Sequence, residues 1–284
     1  MTKIAWAPIL AVLVGAGAWG VIWYPLRLCA AAGLSGLWLA LALYGGGACL
    51  GLLAFGRRLT FRGPPWLWPA LAVLGGVTNI GFVIAVLHDD VLRVTLLFYL
   101  APVWSVLAAR LFLKEPLSVP VLAGAVLAIA GAVILLWHHA SLALTDFDVV
   151  ALVAGVAFAG ANVLLRAHPG LALEAKVFAT LLGVLIVGVA ALPFAASGWP
   201  AVHPEIVWLA AAAGGGLAIL AITWLVQYGV TALPVRQSAV LLLFEVVTAG
   251  FSRHLLLRGA LGLHALIGGA VIAAGATLVA AFGS

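Results

Sequence analysis

The sequence predicts an all-α membrane protein of ten transmembrane helices, arranged as two five-helix repeats of opposite orientation. Three observations predict it. First, 66% of the 284 residues are apolar and only 7% are charged, against about a quarter charged in a soluble domain. Second, charges and prolines punctuate the apolar stretches at intervals that fit spanning helices of about 20 residues. Third, residues 91–140 slid onto 235–284, a shift of 144, match at eleven of fifty positions. In that alignment Gly124 and Gly131 fall on Gly268 and Gly275, and Lys114 falls on Arg258. Each repeat holds five spans, an odd number, so the two point in opposite directions. The units are 1–141 and 142–284, acting as one.

The spans follow in order. The first, 4–26, carries no charge and is longer than the apolar core of a signal peptide, about 7–15 residues, so it reads as a retained helix. The second, 34–55, stops before Arg57 and Arg58. The third, 66–88, follows Pro64 and Pro65 and ends at Asp89 and Asp90. The fourth, 91–112, stops before Lys114, Glu115 and Pro116. The fifth, 119–137, ends at Trp137, and the sixth, 148–166, runs from Asp148 to Arg166. The seventh, 174–194, precedes Trp199 and Pro200. The eighth, 206–228, follows Pro204. The ninth, 234–253, opens on Pro234 and the tenth is 261–282. Proline is tolerated at such ends, and tryptophan anchors them at the interface.

With the N-terminus inside, nine Lys and Arg residues lie at inner ends and four at outer ends, as the positive-inside rule requires. The rule places both termini in the cytoplasm. The net charge of +5 therefore reflects topology, not nucleic-acid binding. Soluble enzymes, secreted scaffolds and nucleic-acid partners are excluded by composition. A membrane barrel is excluded because the apolar runs do not alternate. Cys29 and Cys49 lie in apolar runs and read as small buried residues. The seven histidines form no metal-ligand constellation, and no cofactor motif or catalytic triad is present.

Polar residues at membrane depth are costly, which makes each a candidate site residue. Glu245 is the one acid placed near the centre of a span, where insertion scales put it at about +2.5–3.5 kcal/mol. It reads as an amine partner or proton-coupling carboxyl, or else as a neutral acid bonded between helices. Asn79, Asn162, Gln227 and Ser238 read as ligand contacts or as interhelical glue. The Lys and Arg residues are placed at span ends, so none is expected to offer a stronger carboxylate clamp. Trp19, Tyr99 and Trp224 read as cavity walls for an aromatic cargo or as packing aromatics. Pro102 removes a backbone donor inside the fourth span, as a hinge or a kink.

Leu100-Ala101-Pro102-Val103, followed by Leu111-Phe112-Leu113-Lys114-Glu115-Pro116, resembles the fourth-span motif of the drug/metabolite transporter superfamily, EamA type. Phe244-Glu245-Val246-Val247 is similar to its second-half counterpart. Trp19-Gly20 resembles the first-span signature, and Ala161-Asn162 through Arg166 the start of the second half. Length and aromatic content resemble the bacterial aromatic amino-acid exporters. The resemblance implies an inner-membrane secondary transporter that exports small organic solutes by alternating access. It implies amino acids with an aromatic or apolar preference as cargo, and drugs or other metabolites as the alternative. A membrane-embedded enzyme lacks support in clustered His, Asp or Cys. Inverted repeats are themselves a mark of secondary transporters, with substrate held near the midplane. The expected partners are the solute, membrane lipids and a proton, with no cofactor and no metal.

Overall fold

The computed structural model describes residues 6–88, 94, 97–116, 118–136, 145–194, 206–257 and 263–282. The described residues form helices and connecting turns, with no strand among them. Helices are what the composition demands, because in lipid a backbone must satisfy its own hydrogen bonds. In chain order they are α1 (Trp6–Ala31), α2 (Gly36–Phe55), α3 (Leu67–His88), α4 (Ala101–Leu113), α5 (Val119–Leu136) and α6 (Asp146–Ala167). Then come α7 (Leu173–Ala191), α8 (Ile206–Ala232), α9 (Val235–Leu242), α10 (Phe244–Leu257) and α11 (Leu263–Phe282). Seven stretches are long and apolar enough to cross a membrane, α9 and α10 counting as one, and three more helices are apolar but shorter. The described residues are thus all-helical, in stretches apolar enough for a membrane protein.

Helices overlap the expected spans, but those at the fourth, fifth and tenth are too short to count among the seven crossing stretches, and two further differences appear. The fourth and ninth spans each tighten locally into a turn, with the backbone staying in the right-handed helical region at Leu100 (φ −73°) and Leu243 (φ −64°). Tyr99 and Leu100 form a turn before α4, and Leu243 is a turn between α9 and α10. Pro102 sits in the first turn of α4, just after Tyr99 and Leu100, and its missing N–H loosens the preceding turn. Cys49 departs from expectation too, lying exposed on α2, while Cys29 is half-buried.

Local chemistry fixes the helix ends. Thr145 caps α6 through a reciprocal box with Asp148: the Asp148 N–H donates to Thr145 Oγ1 at 3.2 Å and the Thr145 N–H to Asp148 Oδ2 at 2.7 Å. The stretches Ala109–Leu113 and Ala211–Gly215 are π-helical turns, and Lys114 ends the first of them in the left-handed region at φ 54°.

Packing follows a pattern of exchanged partners. The first helix, α1, packs on α8 and α10, while α6 packs on α3 and α4. Likewise α2 packs on α8 as α7 packs on α3, and α5 packs on α11. Glycine makes these crossings backbone to backbone. A Cβ on Gly46 would strike the Ala212 carbonyl, and one on Gly183 would strike the Ala72 carbonyl. A Cβ on Gly131 would lie 2.6 Å from the Gly268 carbonyl oxygen, and one on Gly275 would lie 2.6 Å from that of Gly124. The last two contacts are exchanged by the 144-residue shift.

Candidate functional site

The turns in the fourth and ninth spans bring Tyr99 and Glu245 together. Glu245 stands in the first turn of α10, directly after the Leu243 turn, and Tyr99 stands in the turn before α4. The Tyr99 hydroxyl donates a hydrogen bond to the Glu245 carboxyl. The Tyr99 ring packs against the core formed by Val240, Leu243 and Val246. On the other side of α10, Gly20 of α1 sits against the Glu245 carbonyl and the Thr248 side chain, where no Cβ fits. Thr248 Oγ1 donates to that carbonyl at 2.9 Å. The Trp23 indole N–H donates to Ser252 Oγ at 2.9 Å, one turn further along α10. The carboxyl is thus carried on a helix start that α1 clamps from behind.

The other expected site residues are distributed. Asn79 is used between helices: its Oδ1 accepts from the Tyr44 hydroxyl at 2.5 Å and its Nδ2 donates to the Gly75 carbonyl at 2.8 Å. Ser238 is buried and donates to the Val235 carbonyl at 3.1 Å inside its own helix. Asn162 is buried on α6 with its Nδ2 lacking a partner among the described residues. Ser105 on α4, the helix beside it, is buried with its hydroxyl likewise unpartnered. Trp19 and Trp224 are half-buried against one apolar cluster, and Trp224 meets the Phe55 ring at 5.4 Å between centroids. Gln227 Nε2 donates to Thr180 Oγ1 at 2.7 Å, and its Oε1 is unpartnered.

Three residues escape the sequence reading. Tyr44 looks apolar in the second run, yet its hydroxyl fixes Asn79. Lys176 is expected at an inner helix end, yet it is buried within α7. The helix-end position stands, in the first turn of α7, and the burial is new: Lys176 Nζ donates to the Leu165 carbonyl of α6 and the Thr231 hydroxyl of α8. A signal existed in the spacing of Lys176 and Thr180, which shares one helix face with the buried seam. Glu115, third, ties the halves together at the same end of the bundle. Its Oε1 accepts from the Val235 N–H at 3.3 Å and lies 3.7 Å from Arg166 Nε. Arg236 donates to the Pro116 carbonyl. Arg166 also donates to the Thr231 and Ala232 carbonyls at 3.3 and 3.2 Å, completing the C-terminus of α8.

Among the described residues no group of His, Cys, Asp and Glu side chains is placed to hold a metal ion. The model of the EamA-like transporter family matches residues 6–137. A solved chain, titled only as the crystal structure of a protein, superposes with a TM-score of 0.78 at 20% identity. The match covers 96% of this chain and 95% of that one, so the two share a fold. No curated protein sequence matches the chain.

Proposed function

We infer that the protein is an EamA-type secondary transporter that exports small organic solutes across the bacterial inner membrane by alternating access. Amino acids with aromatic or apolar side chains are its cargo. The observation that carries this reading is the Tyr99–Glu245 hydrogen bond at two local helix turns. A local turn in a helix at membrane depth loosens the hydrogen-bond ladder, and transporters bind solute where helices depart from regularity. The turns are equivalent by the 144-residue shift, which takes Tyr99 to Leu243. The exchanged helix partners and the family match over α1–α5 support two inverted five-helix units. The lysine and arginine bias supports cytoplasmic termini. Glu245 serves the solute amine or a coupled proton, and Trp19 and Trp224 wall the path.

Uptake by purified protein in liposomes, across amino acids and drug-like amines, with and without a pH gradient, tests this. Saturable transport of aromatic amino acids that a pH gradient accelerates is the expected result. Transport of amines alone would favour the drug-exporter reading, to which the carboxyl at the α10 start also lends itself. No transport of any compound by a well-folded protein would overturn both.

A further inference from the structure

Lys176 has no part in the reading above. Its side chain is 0% exposed, one turn into α7. Its partners are the Leu165 carbonyl at 3.3 Å and the Thr231 hydroxyl at 3.4 Å, both distant and both uncharged. Among the described residues no carboxylate pairs with it. Buried ammonium groups are ordinarily paired, because neutral acceptors at such distances do not offset the loss of water. The lysine also has polar company. Thr180, one turn along α7, accepts from Gln227 on α8, and Thr231 lies one turn beyond Gln227. Four polar side chains therefore share the α7–α8 seam, and Thr180 Oγ1 itself donates to the Lys176 carbonyl at 3.2 Å.

The other half of the molecule shows what this seam looks like without them. A Cβ on Gly75 would press on Thr180, and one on Gly215 would press on Leu43. The crossing of Gly183 on Ala72 matches that of Gly46 on Ala212. These pairs align α2 with α7 by 137 residues (46 to 183, 43 to 180) and α3 with α8 by 140 (72 to 212, 75 to 215). Under the same shifts Lys176, Thr180, Gln227 and Thr231 fall on Leu39, Leu43, Leu87 and Val91. Leu39 and Leu43 are buried in the apolar core. The α2 side of the matching seam is thus apolar, so packing does not require a lysine and a threonine at the corresponding places of α7.

We propose that Lys176, Thr180, Gln227 and Thr231 form a subsite for a carboxylate carried by the transported solute. This rests on the transporter reading and sharpens it, since the cargo must then bear an oxyanion and not only an amine. The ammonium supplies charge, and the Thr231 hydroxyl and the second Gln227 amide N–H supply direction. Entry is from the adjoining cleft of about 370 Å³, which Arg166, Tyr228 and Thr231 line.

The test is uptake by the full-length protein in liposomes of tryptophan, tryptophanamide and the phosphonate analogue of tryptophan. Two variants are compared with the parent: Lys176→Met, and the triple K176L/T180L/Q227L, which copies the apolar seam. Both variants should lower the tryptophan-to-tryptophanamide ratio about tenfold, the factor a charge-assisted hydrogen bond contributes. The triple variant should melt at or above the parent temperature, because a well-packed apolar seam replaces an unpaired charge. An unchanged ratio in either folded variant overturns the subsite. So does variant-sensitive preference for the phosphonate without one for the carboxylate. If the parent carries none of the three compounds, the transporter reading for this cargo fails separately. Melting in detergent then decides the subsite. Protection by tryptophan over tryptophanamide that the triple variant loses supports it, and equal responses overturn it.

Discussion

Tyr99 donates its hydroxyl to Glu245 across the two halves of the chain, and each residue stands at a local turn in its span. The bond ties the turn before α4 to the first turn of α10, so a change at either residue is felt at both places.

Glu245→Gln keeps shape and most hydrogen bonding but removes the charge. It should insert and melt normally yet lose transport, or lose the dependence of rate on pH. Tyr99→Phe should slow transport about tenfold, the scale of a hydrogen bond to a charged group. Liposome rates at several pH values check both. A Gln variant with parental rates at every pH would remove Glu245 from the site, whereas a silent Gln with a less stable Glu245→Leu would make it structural.

Trp19→Ala or Trp224→Ala should weaken aromatic cargo more than small cargo. A ring stacked on a ring adds about 0.5–1.5 kcal/mol, or roughly two- to twelvefold in affinity. Competition against one labelled solute measures the difference. Equal losses for every solute would assign these rings to packing.

Gly46→Ala and Gly183→Ala should each lower stability by about 1–3 kcal/mol, because the added methyl meets a backbone carbonyl that cannot move aside. Gly214→Ala is the control, with nothing within 4 Å of the new Cβ. Melting in detergent should separate the first two from the third. Three equal melting temperatures would mean that the crossings are looser than described.

Single cysteines at Ser141 and Ser284, in a chain lacking Cys29 and Cys49, should label differently on intact cells. An impermeant thiol reagent should reach position 141 and spare 284, as cytoplasmic termini require. The reverse labelling would invert the topology.

The spans were legible because hydropathy is a property of composition, and 66% apolar residues leave few places for turns. The turn inside the ninth was not. Leu243 is a leucine between apolar neighbours, with neither proline nor glycine to mark it. In the fourth span Pro102 stands just after the turn at Tyr99 and Leu100, where its missing N–H loosens the preceding turn. Glu245 could be found because a lone acid in an apolar run is conspicuous. Its partner Tyr99 was singled out only by its nearness to Pro102. Asn79 and Ser238 were found and then proved to be satisfied by Tyr44 and by the Val235 carbonyl. Such pairing depends on tertiary neighbours that spacing along one helix does not reveal. Lys176 escaped because counting charges at helix ends assigns it to water, and burial by α6 and α8 is a fact of packing.

The glycine crossings bear on how such a bundle changes shape. Where side chains separate two helices, rotamer changes can absorb relative motion. At Gly46 on Ala212 and at Gly183 on Ala72 no side chain intervenes. Those points act as fulcrums: the paired helices can tilt about them but not slide past them. Displacement then grows with distance from each fulcrum, so a small rotation there becomes a wide swing at the bundle ends, where Glu115 and Arg166 meet.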